Sequence, residues 1–290
     1  VASWNINSLN VRLPQVLEWL THPHGGAQVD VLCLQELKLS DEKFPLAAFT
    51  EAGLQVAYAG QKTYNGVALV SRHCIADVVI NNPFFEDPQR RLISGTINNI
   101  RIICAYFPNG EALESQKFIY KLAWLDALHG YLAEQVRLFP KLILAGDFNI
   151  APADDDVYNP AAFEGLTHVS PQERAHFFRF IEELGFKDTY RMFEQAAKTY
   201  TWWDYRAGDF YKNVGMRIDH LLVTAPLAAR LVASEIDREA RKGKPIPSDH
   251  APLTIDLDAP GRPYESGWAG AEERIAARRK SRPARKAPPE

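Results

Sequence analysis

The stretch Lys141 to Pro152, KLILAGDFNIAP, restricts the fold more than any other part of the chain. Lys141-Leu142-Ile143-Leu144-Ala145 is a short apolar run held between Pro140 and Gly146. Such a run, bounded by turn-formers, reads as a buried strand. It ends in Asp147-Phe148-Asn149, and Pro152 blocks its continuation. A carboxylate and an amide two residues apart at the tip of a rigid strand pack poorly, yet they suit the aiming of a water molecule at an electrophile. Asp and Asn also make turns through their own backbone, so on this stretch alone a plain turn competes with a chemical role.

The chain has 290 residues, 46% hydrophobic and 24% charged, which suits one large or two small globular domains. No apolar run approaches the ~20 residues of a membrane span. The sequence opens directly on a strand-like run, Val1-Ala2-Ser3-Trp4, with no basic-then-apolar leader, and the start at Val1 suggests a trimmed initiator. Cys33 and Cys104 lie in apolar runs and Cys74 stands apart, with no metal spacing, as in a reduced cytosolic protein. The net charge of −3 does not advertise a polyanion partner. The residues after Pro260 hold eight basic against four acidic side chains, which leaves the body acidic. An acidic body can still take a phosphate chain if its acids hold metal ions.

Along the chain, polar residues recur at the tips of strand-like runs. Ala2–Ile6 leads to Asn5 and Asn7, and a helical pattern follows with Val11, Val16, Leu17 and Leu20 on one face. Val29–Leu34 ends at Glu36. Residues 41–52 suggest a short helix, and Tyr64-Asn65-Gly66 is a turn before the apolar run Val67–Val70, which Arg72 closes. A strand at Leu92–Ile97 turns at Asn98-Asn99 and returns through Arg101–Tyr106 towards Asn109. Residues 115–138 read as an amphipathic helix with Phe118, Leu122, Leu125, Leu128 and Leu132 inward. Residues 151–170 look like a loop. Ser170, Pro171 and Glu173 then form a capping box for a helix ending near Gly185. The aromatic stretch Thr199–Tyr211 fits either a hairpin with one face in the core or a loop pressing rings against bases or sugars. Met216–Val223 carries Asp219 within a strand pattern, where a buried Asp needs a partner, and Asp249-His250 precedes the strand Leu253–Leu257. Residues 259–290 read as a basic, flexible tail with one helical turn near 271–280.

Six strand-tip coincidences are more than turns explain. With SWNIN (Ser3–Asn7), LQELK (Leu34–Lys38), YNGVALVSR (Tyr64–Arg72), QRR (Gln89–Arg91), YFPNGE (Tyr106–Glu111), GDFNIAP (Gly146–Pro152), NVGMRIDHLL (Asn213–Leu222) and SDHAP (Ser248–Pro252) in this order, the chain resembles the exonuclease III family of DNA repair nucleases. That family includes apurinic/apyrimidinic endonucleases and lies within the endonuclease/exonuclease/phosphatase superfamily. The resemblance covers residues 1–257. It implies an α/β, DNase I-like, four-layered α/β/β/α sandwich, with two mixed sheets face to face, over a catalytic domain at 1–258. It implies Mg²⁺, with Mn²⁺ able to substitute, as one or two ions on Glu36 with Asn7, Asp249, Asp147 and Asn149. Asp147 would orient or deprotonate the attacking water, with Asn5 and Asn149 positioning the reacting groups. His250, oriented by Asp219, would meet the scissile phosphate, and Tyr106 and Asn109 its oxygens. Tyr64, Asn65, Arg72, His168, Trp202 and Met216 would line the DNA path.

The implied partner is double-stranded DNA with abasic sites, nicks or 3′ ends. The implied protein is a cytoplasmic monomer, nucleoid-associated if bacterial. Where the resemblance places a glycine in strong abasic endonucleases, this chain has His168. An imidazole there would narrow the path of a continuous strand and leave a free 3′ end accessible, which favours 3′→5′ exonuclease and 3′-end cleaning over abasic cutting. The plainer alternative points His168 to solvent. Met216 stands where some members put an aromatic against the flipped sugar, and Trp202 could compensate. The rival readings are a predominant abasic endonuclease, a non-DNA phosphoesterase of the same superfamily, and a DNA-binding scaffold with a dead site. The last would need a lost ligand or histidine, and none is missing.

Overall fold

The structure is a computed structural model that describes residues 1–23, 25–261 and 263–264. Its strands are β1 (Ala2–Asn5), β2 (Val31–Gln35), β3 (Gln55–Ala59), β4 (Val67–Ser71), β5 (Ala76–Ile80), β6 (Leu92–Ile97), β7 (Ile100–Tyr106), β8 (Leu142–Asp147), β9 (Lys187–Asp188), β10 (Asp219–Val223), β11 (Leu231–Ile236) and β12 (Leu253–Leu257). They form two six-stranded sheets, ordered β11-β12-β1-β2-β4-β3 and β5-β6-β7-β8-β10-β9. The sheets lie face to face with helices outside, the four-layered sandwich the resemblance implies. Each sheet has one parallel pair at its centre, β1–β2 and β7–β8, and its other pairings are antiparallel.

This topology decides where the polar strand tips go. The four parallel strands end at one rim, and β10 and β12, antiparallel to their neighbours, begin there. Asn5 is paired with Gln35, and Tyr106, Asp147 and Asp219 lie abreast. Alternation then sorts the side chains. Ile143 and Ala145 enter the core between the sheets, while Leu142 and Leu144 pack under the helices. Asp147 continues the inner series. By the same parity Asn5 follows Ser3, Tyr106 follows Cys104, and Asp219 precedes Leu221 on the inner face. Gly146 permits the close approach of β7, because a Cβ there would lie 1.8 Å from the Ala105 carbonyl oxygen.

Helix α1 (Leu9–Thr21) buries Leu9, Arg12, Val16, Trp19 and Leu20. Val11, expected on that face, is exposed, because the buried stripe runs through Arg12 and Trp19 instead. A short α2 (Leu46–Glu51) follows a 3₁₀ turn. The long helix α3 (Gln116–Leu138) buries Phe118, Leu125, Leu128 and Leu132 as expected, and also Lys121. The stretch expected as a loop contains a 3₁₀ turn (Asp154–Asp156) and a short helix, α4 (Pro160–Phe163). Helix α5 (Pro171–Glu182) carries the capping box, with Ser170 Oγ accepting from the Glu173 amide and Glu173 Oε2 from the Ser170 amide. The aromatic stretch is not a hairpin. Trp203 and Phe210 are buried while Tyr205 and Tyr211 are exposed, and the chain turns through positive φ at Ala207 and Gly208 into a helical turn, so no period of two survives. Of the tail, Tyr264 stacks on Trp19 and donates to the Gly25 carbonyl, so packing runs past residue 258. The helical turn expected at 271–280 lies outside the described residues.

Behind the rim, Arg217 is buried and pairs with Asp156 (2.6 Å) and Asp188 (2.8 Å). His220, fully buried, has Nε2 2.9 Å from the Ile150 carbonyl and Nδ1 3.1 Å from Arg217 Nη1. Nε2 therefore carries the proton and Nδ1 accepts. Burial first, and then the Arg217 charge, push the His220 pKa down to about 4. The unfolded ring titrates near 6.5, so between these values the unfolded chain binds more protons. This contribution to stability is present above pH ~6.5 and is lost as pH falls towards 4. Denaturant unfolding at pH 7.5 and 4.5 should show roughly 2–3 kcal/mol less acid loss in His220→Gln than in the parent, since a glutamine amide can donate in place of Nε2 and does not titrate. Equal acid losses in both proteins would remove His220 from the account.

Candidate active site

The rim brings together side chains from strands far apart in sequence. Asn5 Nδ2 donates to Glu36 Oε1 (2.8 Å) and to Asp147 Oδ2 (2.9 Å), so one amide joins the two sheets. Parity would turn Glu36 away from this gap, but its φ of 55° breaks the alternation and swings the carboxylate in. Asn7 and Asn149 also have positive φ, 45° and 49°. Asn7 Nδ2 donates to Asp249 Oδ1 (2.9 Å), whose Oδ2 accepts from Trp202 Nε1 (3.0 Å). The Asn149 amide donates to Asp147 Oδ1 (2.9 Å). His250 Nε2 lies 3.7 Å from Asp147 Oδ2, and its Nδ1 donates to Asp219 Oδ2 (2.8 Å). The His250 loop is pinned by Ser248 Oγ donating to the Asn5 carbonyl and by Trp4 Nε1 donating to the His250 carbonyl.

Asp147, buried between like charges, has its pKa raised by burial and by Asp219, against the lowering effect of His250. Burial opposes charge on His250, but Asp219 and Asp147 outweigh it and raise its pKa, so the ring is an imidazolium at neutral pH. Tyr106 is held protonated by burial and by the Glu36 and Asp147 charges. Asp249 stays ionised, its pKa lowered against burial by His250, Trp202 and Asn7.

Glu36, Asp147 and His250 each offer a ligand atom within 4.8 Å of one another. His250 Nδ1 is already engaged by Asp219, and the neighbouring carboxylates and amides supply most of the donor atoms as oxygens. Lys38 Nζ lies 2.7 Å from Glu36 Oε2 and 2.5 Å from Asn7 Oδ1, so oxygens from two strands already converge on a cation. This hard-oxygen donor set fits a divalent ion of the Mg²⁺ type. No strand-tip pattern points to Lys38, although LQELK places it two residues after Glu36.

Asn109, Asn149 and His168 form the adjoining wall. His168 Nε2 lies 3.0 Å from Asn149 Oδ1 and 3.2 Å from Asn109 Nδ2, so the half-buried ring is turned onto these two side chains. Tyr64 and Asn65 line a cavity of about 760 Å³ that continues past Tyr106 and Asn109 to Arg91 and Lys117. Tyr64 is exposed, while Asn65 is buried and donates to Gln61 and Gln89. Met216 is buried with Ala151, Val157 and Ile218, and Trp202 packs on that patch. Arg72 is a correction. It follows Ser71, which pairs with Val31 at the opposite end of β2 from Glu36, and its guanidinium donates to the Val29 and Leu20 carbonyls. It braces the end of α1, far from the cleft.

A four-layered sandwich with acids, amides and one histidine gathered at the rim between its sheets defines a phosphoesterase-type hydrolase. The sequence model of the endonuclease/exonuclease/phosphatase family matches residues 2–250. Exodeoxyribonuclease III of Haemophilus influenzae is 35% identical over 270 residues, covering 88% of this chain and 98% of that protein. Among solved structures, a 3′–5′ exonuclease from Neisseria meningitidis is 45% identical with a TM-score of 0.85, covering 89% of this chain and 99% of that one. An AP endonuclease from Archaeoglobus fulgidus is 35% identical with a TM-score of 0.83, covering 89% and 98%. The chain belongs to the exonuclease III/AP endonuclease family and is an exodeoxyribonuclease III-type nuclease. A relative from Neisseria, a 3′ phosphatase at 45% identity and TM-score 0.85 over 89% of this chain and 98% of that one, has been solved with a product DNA hairpin. Among the described residues no helix is long and apolar enough to cross a membrane.

Proposed function

We propose that this chain is a cytoplasmic Mg²⁺-dependent phosphodiesterase of base-excision repair, its catalytic unit at 1–258, acting on duplex DNA. It works chiefly at 3′ ends, as a 3′→5′ exonuclease and 3′-phosphatase, with abasic-site cutting reduced. Glu36 with Asn7 and Asp249 would hold Mg²⁺, or Mn²⁺ in its place, and the ion would supply neutralisation of charge on the phosphate. Asp147, its basicity raised, takes the proton of the attacking water, and Asn5 and the Asn149 amide fix its two oxygens. The His250 imidazolium, the Tyr106 phenol and the Asn109 amide donate to phosphoryl oxygens as charge grows on them. Asp219 keeps the histidine ring turned and charged.

The observation that carries the 3′-end preference is the His168 ring in the cleft wall, held against Asn149 and Asn109. A strand running on past the scissile phosphate must pass this ring, whereas a terminal phosphate need not. The 3′ phosphatase and 3′–5′ exonuclease among the similar structures support this reading. In His168→Gly, kcat/KM on a duplex with an internal abasic site should rise by roughly tenfold or more, while that on a recessed 3′-phosphate changes little. Unchanged abasic cleavage would end the idea.

A further inference from the structure

Beneath the cleft wall, Lys121 of α3 and Glu173 of α5 form an ion pair in which neither side chain is exposed. Its hydrogen bonds lead to the site. Lys121 Nζ donates to the Asn149 carbonyl (2.7 Å) and the Asn109 carbonyl (3.2 Å). Glu173 Oε1 accepts from the His168 amide (3.0 Å), and Oε2 accepts from the amide and hydroxyl of Ser170. The three residues whose side chains meet at Asn149 Oδ1 are thus held from behind by a single pair. His168 needs such a hold, since its φ is 76°. A buried pair is seldom justified by stability, because desolvation cancels much of its attraction, so fixing geometry is the better account.

We infer that Lys121 and Glu173 are positioning residues that set, through main-chain groups, where Asn109, Asn149 and His168 stand, and thereby the selectivity between a free 3′ end and a continuous strand. This rests on the proposed role of His168. In the parent, the carbonyls of Asn109 and Asn149 cannot part while both accept from one ammonium, and the His168 ring is kept against Asn149 by its own amide. With the pair neutralised, the wall loosens and the ring can swing out of the strand path.

The test compares the parent with Glu173→Gln, Lys121→Met/Glu173→Gln, Ser170→Ala and His168→Gly on two duplexes, one with an internal abasic site and one with a recessed 3′-phosphate. All are assayed at least 15 °C below each variant's melting temperature. The expected result is that Glu173→Gln and the double variant raise the abasic/3′-phosphate ratio of kcat/KM by about fivefold or more. Both should also lower kcat on the 3′-phosphate more than they change KM. Ser170→Ala, which removes one of the two donors to Glu173 Oε2 but leaves the charge pair and the His168 amide bond in place, should move the ratio far less than Glu173→Gln does. Adding Glu173→Gln to His168→Gly should give no further rise. A ratio that moves equally in Ser170→Ala, or stays fixed in both charge variants while His168→Gly shifts it, overturns the inference. If His168→Gly itself shifts nothing, the selectivity reading fails separately. The positioning role then stands or falls on the 3′-phosphate kcat, and an unchanged value overturns it.

Discussion

Asp147→Asn should lower single-turnover cleavage of a 3′-ended duplex by about a thousandfold while changing its dissociation constant by less than about threefold. The reason lies in what each carboxylate oxygen does. Oδ1 accepts from the Asn149 amide, and Oδ2 accepts from Asn5 and faces His250 Nε2 at 3.7 Å. Asparagine keeps the shape and one acceptor. Its amide group must turn towards either the Asn5 amide or the Asn149 N–H, setting donor against donor, and it cannot take a proton. His250 also loses one of the three acids that hold it charged. For the proposed DNA substrate, affinity that rests mainly on phosphate contacts along the duplex should survive the substitution. Anisotropy titration beside single-turnover kinetics separates the two, and parallel loss of binding and turnover would count against a chemical role.

Much of this site was legible because it is built from strand tips. The apolar run 142–145 gave a buried strand, and period-two alternation carries Asp147 to the inner face without further help. Asn5, Tyr106 and Asp219 follow the same rule, so tip position and residue type sufficed. The misses share a cause: they depend on contacts between distant segments. Arg72 looked like a rim residue because β4 runs antiparallel to β2, and the sequence does not say which end of a strand faces the site. Apolar periodicity puts Val11 inward and has no place for Arg12 in the buried stripe, yet Arg12 bonds the Ile246 carbonyl and Tyr205 across the fold. Lys121 sits in a leucine stripe, where hydrophobic periodicity has no place for a buried lysine either. β3, β5, β9 and β11 have no strand expected for them in the sequence, and β5 is an edge strand largely exposed, with little hydrophobic pattern to read. Glu36 was found by position, but its inward turn depends on a positive φ that no periodicity foretells.

Asp219→Asn tests whether the histidine acts as an imidazolium. Asp219 Oδ2 is the only partner of His250 Nδ1 among the described residues, at 2.8 Å, and Asp219 is itself fully buried. In the parent, burial works against the charged ring, and Asp219 leads the groups that raise its pKa to about 10. Asparagine can keep the hydrogen bond but not the charge. The His250 pKa should then fall towards the neutral range, where burial is opposed mainly by Asp147. Turnover should drop by roughly a hundredfold to ten-thousandfold, the range seen when an acid orienting a working histidine becomes an amide. The pH dependence gives the sharper reading. The ratio of the variant's activity to the parent's should decline between pH 6 and 9 as the variant's ring loses the proton, since the parent keeps its ring charged there and the ionisation of Asp147 is shared by both. Stability should follow with a definite sign. A raised folded pKa makes the ring's contribution fully present below its unfolded value near 6.5 and lost as pH rises through about 10. The stability gap between parent and variant, from urea unfolding, should therefore be widest near pH 6 and narrow by pH 9.5. A gap that holds constant, with a variant whose activity has the parent's pH profile, would mean that the ring works neutral, and that Asp219 orients it without charging it.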